Sequence, residues 1–494
     1  MRAIAEVEDR PTPVSLVILV GALGILSLSV VAGIKPLTVT PLVAALMVLA
    51  IAHRQLLSWR NLISLLILVI LFIPMRRYTL PGGLPFELDP YRVLVAFVLM
   101  GWTASLLADP TVRLRRSGLE APLLLILASS IASILANGGR ASSVGAEVAK
   151  SLTFLLSYFV VFFLIVSVTT RQRQVDFLLK VIVGGGAIVA GCAILESRTH
   201  LNVFDHLSAL IPVLHQQESE AAVIDMRGFR AFGSAQHPIA LSAALVLLVP
   251  LSIYLVQRDG RRRWWLAGGL LLTGALATMS RTSIIMLLVA GLTFVWLRPR
   301  AMKRLWPALF PALALVHFAL PGTLGTLKQS FFPAGGLLAQ QAANPGYTGQ
   351  GRLADLGPAF DQWTQHPLFG SGYATRVVGL PGIDGQILDD QWLGTLLETG
   401  VLGFFAWLWL MVWCLRRFGR AARADQSTHG WLMTALTASV ASFAVGMLFF
   451  DAFSFTQVTL LFFILASLGC VAAREDLAIR ATTARVRRSR LRPG

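Results

Sequence analysis

Charge is what this chain has least of. Only 14% of its 494 residues are Asp, Glu, Lys or Arg, whereas 55% are hydrophobic. No water-soluble domain hides that much apolar surface, so an ordinary globular enzyme is excluded and a polytopic membrane protein is implied. Acidic residues are the scarcer sign, 25 against 42 Lys+Arg, for a formal charge of +17. That excess does not indicate nucleic acid. The basic residues sit in short segments between apolar runs, as topology determinants do. Cysteine is nearly absent. Cys192, Cys414 and Cys470 each lie inside an apolar run with no disulfide or zinc spacing, which leaves space-filling. The Asp-x-Asp pattern of metal-dependent nucleotide-sugar enzymes is missing, and Gly349-Gln350-Gly351 lacks the strand and helix of a nucleotide loop. Neither a metal nor another cofactor is expected, and a nucleotide-sugar donor is disfavoured.

What the chain has instead is apolar runs of membrane-spanning length, about fourteen of them. They cover 14–33, 37–52, 61–75, 93–108, 121–136, 151–169, 177–195, 238–257, 264–279, 282–297, 305–320, 391–414, 431–450 and 457–473. The expected fold is all-α and polytopic, a single membrane domain over 1–494. Arg2 and Arg10 precede the first run without a small-residue cleavage site, so that run reads as a helix rather than a removed signal peptide. With both termini cytoplasmic, most Lys and Arg fall in inside loops, and Lys180 falls within a helix. The loops 196–237 and 321–390 are then extracytoplasmic, the second just before the third-last helix. The tail 474–494, with Arg485, Arg487, Arg488, Arg490 and Arg492, suits anionic headgroups and has no aromatic platform for nucleic acid. Gly184-Gly185-Gly186 suits close helix packing.

The 321–390 interlude is the largest polar stretch, and the chemistry is expected there. Arginines on the outer side run against the positive-inside rule, so Arg227, Arg230, Arg281 and Arg352 each require a reason. A guanidinium fork matches phosphate oxygens, and several converging arginines form a diphosphate clamp. Taken singly, each is equally a helix-end snorkel or an ion-pair partner. His237 precedes Pro238 at a helix start, and His366 opens the turn His366-Pro367-Leu368-Phe369-Gly370. Both suit structural elbows as well as substrate contacts. Asp389 and Asp390 precede a helix, where one carboxylate caps and the other serves as general base for an acceptor hydroxyl. Glu398, about two turns deeper, needs a partner, with an outer-loop arginine the natural one. Asp451 is a further acidic candidate in the outer turn between the last two helices.

Together these stretches resemble the O-antigen ligase and polymerase superfamily of bacterial envelope proteins. The resemblance rests on Arg230-Ala-Phe-Gly-Ser-Ala-Gln-His237-Pro238 before a long helix, on Ser280-Arg281, and on Arg352…Trp363…His366-Pro-Leu-Phe-Gly-Ser-Gly-Tyr373. It continues through Asp389-Asp390-Gln391-Trp392-Leu393 to Glu398-Thr-Gly400-Val-Leu-Gly403 and spans roughly 226 to 403. It implies a polyprenyl-diphosphate-linked glycan as donor and a glycan or lipid as acceptor. It further implies transfer at the outer face of the inner membrane, without metal or nucleotide. Arg230, Arg281 and Arg352 would hold the diphosphate. Many ligases carry a histidine where this chain has Asp389-Asp390, a departure that favours polymerase-like members. Tyr373 and Trp392 are candidates for stacking on sugar faces. The alternative from another class is a transporter or flippase of an anionic glycolipid, which predicts more charge near the bilayer midplane than Lys180 and Glu398 supply.

Overall fold

The structure is a computed structural model that describes residues 58–80, 89–109, 112–217, 224–225, 228–322, 325, 328–329, 331–332, 336, 352–377 and 388–490. The expected helices over 14–33 and 37–52, Arg227, and much of the 321–390 interlude lie outside the described residues. Two compact units are distinguished, Met1–Leu65 and Leu66–Gly494. The second contains both long interludes.

The described residues are mostly helical, with only two-residue strands. In chain order the helices are α1 (Trp59–Phe72), α2 (Pro90–Ala108), α3 (Glu120–Ala136), α4 (Gly138–Ser143), α5 (Gly145–Val168), α6 (Gln172–Thr199) and α7 (Leu207–Leu210). They continue as α8 (Pro238–Asp259), α9 (Arg263–Ala277), α10 (Arg281–Leu297), α11 (Pro299–Leu305), α12 (Leu309–Ala319), α13 (Arg352–Gln365), α14 (Gln391–Ala424), α15 (Thr428–Gly446) and α16 (Thr456–Arg490). Six spans among the described residues are long and apolar enough to cross a membrane: α2, α5, α6, α8, α14 and Thr456–Arg474 of α16. Helices α1, α3 and α10 are apolar but shorter.

Local chemistry sets the helix ends. His237 caps α8 through Nδ1, which accepts from the Ile239 amide at 3.2 Å, and Pro238 fills the first turn where no N–H is needed. Gly260, at φ 63°, ends that helix in the left-handed conformation glycine favours. The apolar run 305–320 is not one helix. Pro307 falls in a 3-10 turn, Trp306–Ala308, that separates α11 from α12.

Helix α8 is apolar on all sides and sits in the bundle interior against α9, α15 and α10. Small residues let the backbones approach: a Cβ on Gly274 would strike Ala190, and one on Gly186 would strike Leu248. A ring cluster fills the centre, with Phe443 stacked on Phe462 at 4.3 Å and Tyr158 on Phe463 at 5.6 Å. In lipid such contacts hold helices together through dispersion rather than through release from water.

Hydrogen bonds gather several helix connections beside the start of α14: Arg230 Nε donates to the Thr278 carbonyl between α9 and α10, Gln236 Nε2 to the Ser454 carbonyl between α15 and α16, and the Phe453 amide to Gln391 Oε1. Arg298 marks the opposite end of α14. Its Nη2 donates to the carbonyls of Ala422 (2.8 Å) and Asp425 (2.5 Å), its Nη1 to Gln426 Oε1 (2.5 Å) and its Nε to Thr434 Oγ1 (3.1 Å). Burial lowers the Arg298 pKa from its ordinary value, and the nearby Asp425 charge opposes that shift.

Neither interlude is a plain loop. Within 196–237, His215–Gln216 pairs antiparallel with Tyr78–Thr79, and Ile224–Asp225 pairs with Gly228–Phe229. Within 321–390, α13 forms because Leu356, Ala359, Phe360 and Trp363 recur at helical spacing. Ala359 is buried with Leu388 and Leu397, and Trp363 and Leu393 pack against them.

Candidate active site

The site is built on a break in α14. Gly400 has φ 65° and ψ −163°, a conformation open essentially to glycine alone, and it interrupts the helix between Leu397 and Val401. A broken helix at membrane depth strands backbone carbonyls, which must find donors. The turn after α13 supplies them. The Ser371 amide donates to the Leu397 carbonyl at 2.8 Å and the Gly372 amide to the Glu398 carbonyl at 3.3 Å. In return, the Val401 amide donates to the Pro367 carbonyl at 2.9 Å. Contact is so close that a Cβ at Gly370 would meet the Glu398 backbone, and one at Gly400 the Leu368 carbonyl. Helix α3 completes the joint. Ser133 Oγ donates to the Glu398 carbonyl (2.5 Å) and Asn137 Nδ2 to the Gly370 carbonyl (3.0 Å).

At the start of α14 the two aspartates differ. Asp390 is the N-cap, its Oδ1 accepting from the Leu393 amide at 3.0 Å. Asp389, beside it, is half-buried. Gln391 and Trp392 anchor this helix start to its neighbours. The Gln391 amide donates to the Met447 carbonyl at 2.7 Å, and Gln391 Oε1 accepts from the Phe453 amide at 2.8 Å. Trp392 Nε1 donates to the Ala444 carbonyl at 2.9 Å. Asp451 closes the same turn by accepting from the Phe453 and Ser454 amides and from Ser454 Oγ.

A second group surrounds Arg230. This arginine is buried, and its Nε donates to the Thr278 carbonyl at 3.1 Å. That bond joins it to the turn in which Ser280 holds the N-cap position of α10, without a side-chain capping bond, and Arg281 is the first helical residue. The preceding Met279 has φ 50°, a left-handed position that is costly for a non-glycine residue. The segment after Arg230 is held by Glu196, whose carboxylate accepts from the Gly233 amide (2.8 Å) and the Phe232 amide (3.2 Å). Arg77 and Asn202 both donate to the Gly233 carbonyl, and Arg77 also pairs with Asp205 at 2.6 Å. Burial lowers the pKa of Arg77, against the opposing charges of Asp205 and Glu196.

The structure thus brings Arg230 to the Arg281 turn, and the His366–Tyr373 turn to Glu398. Arg352 opens α13. His237 also stacks on Phe455 at 5.5 Å, and His366 is exposed on its turn. Tyr373 is buried, with its hydroxyl donating to the Ser151 carbonyl at 3.3 Å; burial and the Glu398 charge push its pKa well above the ordinary value. Glu398 Oε2 accepts from the Ala374 amide at 3.2 Å, and Arg376, in the segment after that turn, acts on it electrostatically.

Two residues of this region escaped the sequence reading, Arg140 and Arg376. Nε and Nη2 of each are buried without a hydrogen-bond partner. Burial lowers the Arg376 pKa, while Glu398 and Asp451 raise it and Arg140 lowers it further. The available signal was positional: Arg140 interrupts a polar Gly-Gly-Arg gap between two apolar runs, and Arg376 follows the Gly-Tyr turn by three residues. Among the described residues, no group of three or more His, Cys, Asp or Glu could hold a metal ion.

Residues 266–408 match the family model described as O-Antigen ligase. That stretch runs from within α9 to within α14 and includes Arg281, Arg352, His366, Asp389, Asp390, Glu398 and Gly400. Over that stretch the match bears out the resemblance to the O-antigen ligase and polymerase superfamily read from the sequence. No curated protein matches the chain.

Proposed function

We propose that the protein transfers a glycan from a polyprenyl-diphosphate carrier to an acceptor hydroxyl. The reaction takes place at the extracytoplasmic face of a bacterial inner membrane, in the polymerisation or ligation of a surface polysaccharide. The observation that carries this reading is the joint between the His366–Tyr373 turn and the α14 break at Gly400. It fixes a polar loop against a membrane helix that Asp389 precedes, next to its cap, Asp390. A joint of this kind serves a reaction at the bilayer surface, where a lipid-anchored donor and a polar acceptor meet.

In this mechanism the acceptor oxygen attacks the anomeric carbon of the donor sugar. The bond from that carbon to the diphosphate oxygen breaks, and polyprenyl diphosphate leaves with the electron pair. Asp389 takes the hydroxyl proton as general base. Arg281 and Arg230, joined through the Thr278–Arg281 turn, and Arg352 meet the charge that develops on the leaving group. A leaving group neutralised by arginines asks for no metal, and one displacement inverts the anomeric centre. Asp390 caps, and His237 holds the start of α8.

The test uses purified protein in detergent with a polyprenyl-diphosphate oligosaccharide. Free polyprenyl diphosphate and glycan length are followed for wild type, Arg281→Ala and Asp389→Asn. Release with a lengthening glycan, lost in both variants, establishes a polymerase; release with one transfer to a supplied acceptor establishes a ligase. Absence of release beside donor translocation in liposomes contradicts the transfer reading.

A further inference from the structure

Arg140 and Arg376 come from different elements, the short α4 and the loop that follows the Gly-Tyr turn, yet their sequence neighbours meet: Val377 packs against the buried cluster of Ala141, Val144 and Val148, and the two guanidinium charges act on each other. Each offers two guanidinium nitrogens, Nε and Nη2, that are buried and without a protein partner. Buried donors of this kind are uncommon in native proteins and signal a missing acceptor. Each arginine is half-buried as a whole, so part of each side chain faces outward while these nitrogens are covered. Nε and Nη2 form the edge of the guanidinium that grips a carboxylate with two parallel hydrogen bonds.

The charges nearby decide which anion suits the pair. Glu398 and Asp451 both act on Arg376. Asp451, with at most one further charge from Glu398, offsets part of the charge of the two guanidiniums, so little net positive charge is left. A diphosphate, carrying several negative charges, is poorly matched there. A single carboxylate beside neutral hydroxyls fits: the arginine forks meet the carboxylate, and Glu398 accepts from a hydroxyl.

We propose that Arg140 and Arg376 form a subsite for a carboxylate-bearing sugar, a uronic acid of the glycan, separate from the Arg230–Arg281 group. As a glycan subsite it rests on the glycan-transfer reading. It narrows the substrate class from any lipid-linked glycan to an acidic one. The subsite adjoins the Gly370–Glu398 joint, so the sugar it grips is oriented against α14, the helix that Asp389 precedes.

Two measurements test this, one of which needs no turnover. The first is the melting temperature of the full-length protein in detergent, with a hexuronate-containing trisaccharide or with its carboxyl-reduced neutral counterpart. Wild type is expected to be stabilised by the uronate alone, and Arg376→Gln and Arg140→Gln to lose that difference. The second is the ratio of kcat/KM for uronate-containing and carboxyl-reduced substrates. It is expected to favour the uronate by about ten- to a hundredfold in wild type and to collapse towards one in both variants. Should Arg376→Gln fail to fold, Arg140→Gln and Arg376→Lys carry the comparison, since lysine keeps the charge and loses the fork. Equal behaviour of the two glycans with wild type overturns the subsite. So does a variant that weakens both substrates alike with the ratio unchanged, which would assign the arginines to a group both substrates share. If wild type releases no polyprenyl diphosphate from either substrate, glycan transfer falls on its own, and the melting shift still decides the subsite.

Discussion

The Ser371 amide donates to the Leu397 carbonyl at 2.8 Å, so the His366–Tyr373 turn supplies a hydrogen bond that α14 has lost. The joint reads as a device for holding polar chemistry at a fixed depth. A helix break exposes carbonyls that lipid cannot satisfy, and a loop rich in glycine can lay its amides against them.

Gly400→Ala tests the joint. Alanine at φ 65° and ψ −163° carries a strain of about 1–3 kcal/mol, and its Cβ would also meet the Leu368 carbonyl. A lowered melting temperature is expected, with faster proteolysis between α13 and α14 and loss of transfer. Unchanged proteolysis would detach the loop from the helix break.

The α3 side of the joint should behave more mildly. Ser133→Ala and Asn137→Ala each remove a donor to a backbone carbonyl, at a cost of about 1–3 kcal/mol. Thermal unfolding should show the two losses to be less than additive, because both act on one joint. Full additivity would make them independent.

The paired aspartates should separate cleanly. Asp390→Ala removes an N-cap, worth about 1 kcal/mol, and is expected to lower stability while transfer persists. Asp389→Asn keeps size and polarity and is expected to leave the melting temperature in place while removing the proton acceptor. Equal effects of the two on turnover would contradict the division of roles.

Arg298 lies at the far pole and serves as a contrast. Arg298→Ala leaves two backbone carbonyls and two side chains without their donor, so a destabilisation of several kcal/mol is expected, about 1–3 for each buried group left unsatisfied. Turnover per folded molecule should be kept. A selective loss of turnover would link this pole to the reaction.

Much of the bundle was legible in the sequence because lipid imposes a simple rule: a long apolar run becomes a helix. The run near 238–257 appears as α8, with ends set by His237, Pro238 and Gly260, and the run near 177–195 as α6. The run 305–320 misled because hydropathy does not register Pro307 as a break. The break at Gly400 was hidden for the opposite reason. A lone glycine inside an apolar stretch looks like packing, and only the facing Leu368–Gly372 backbone reveals that it bends the chain. At the site, the two signature stretches were visible as motifs, yet their mutual contact belongs to tertiary structure. Arg140 was invisible as a partner of Arg376 because more than two hundred residues separate them.

The most direct measurement is the rate of polyprenyl diphosphate release against glycosidic bond formation, compared between wild type and Asp389→Asn in the same detergent. Wild type should release one polyprenyl diphosphate per bond formed. Asp389→Asn, folded as judged by its melting temperature, should be slower by about 10²–10⁴-fold, the usual worth of a positioned general base. Release at the wild-type rate by folded Asp389→Asn would contradict the account.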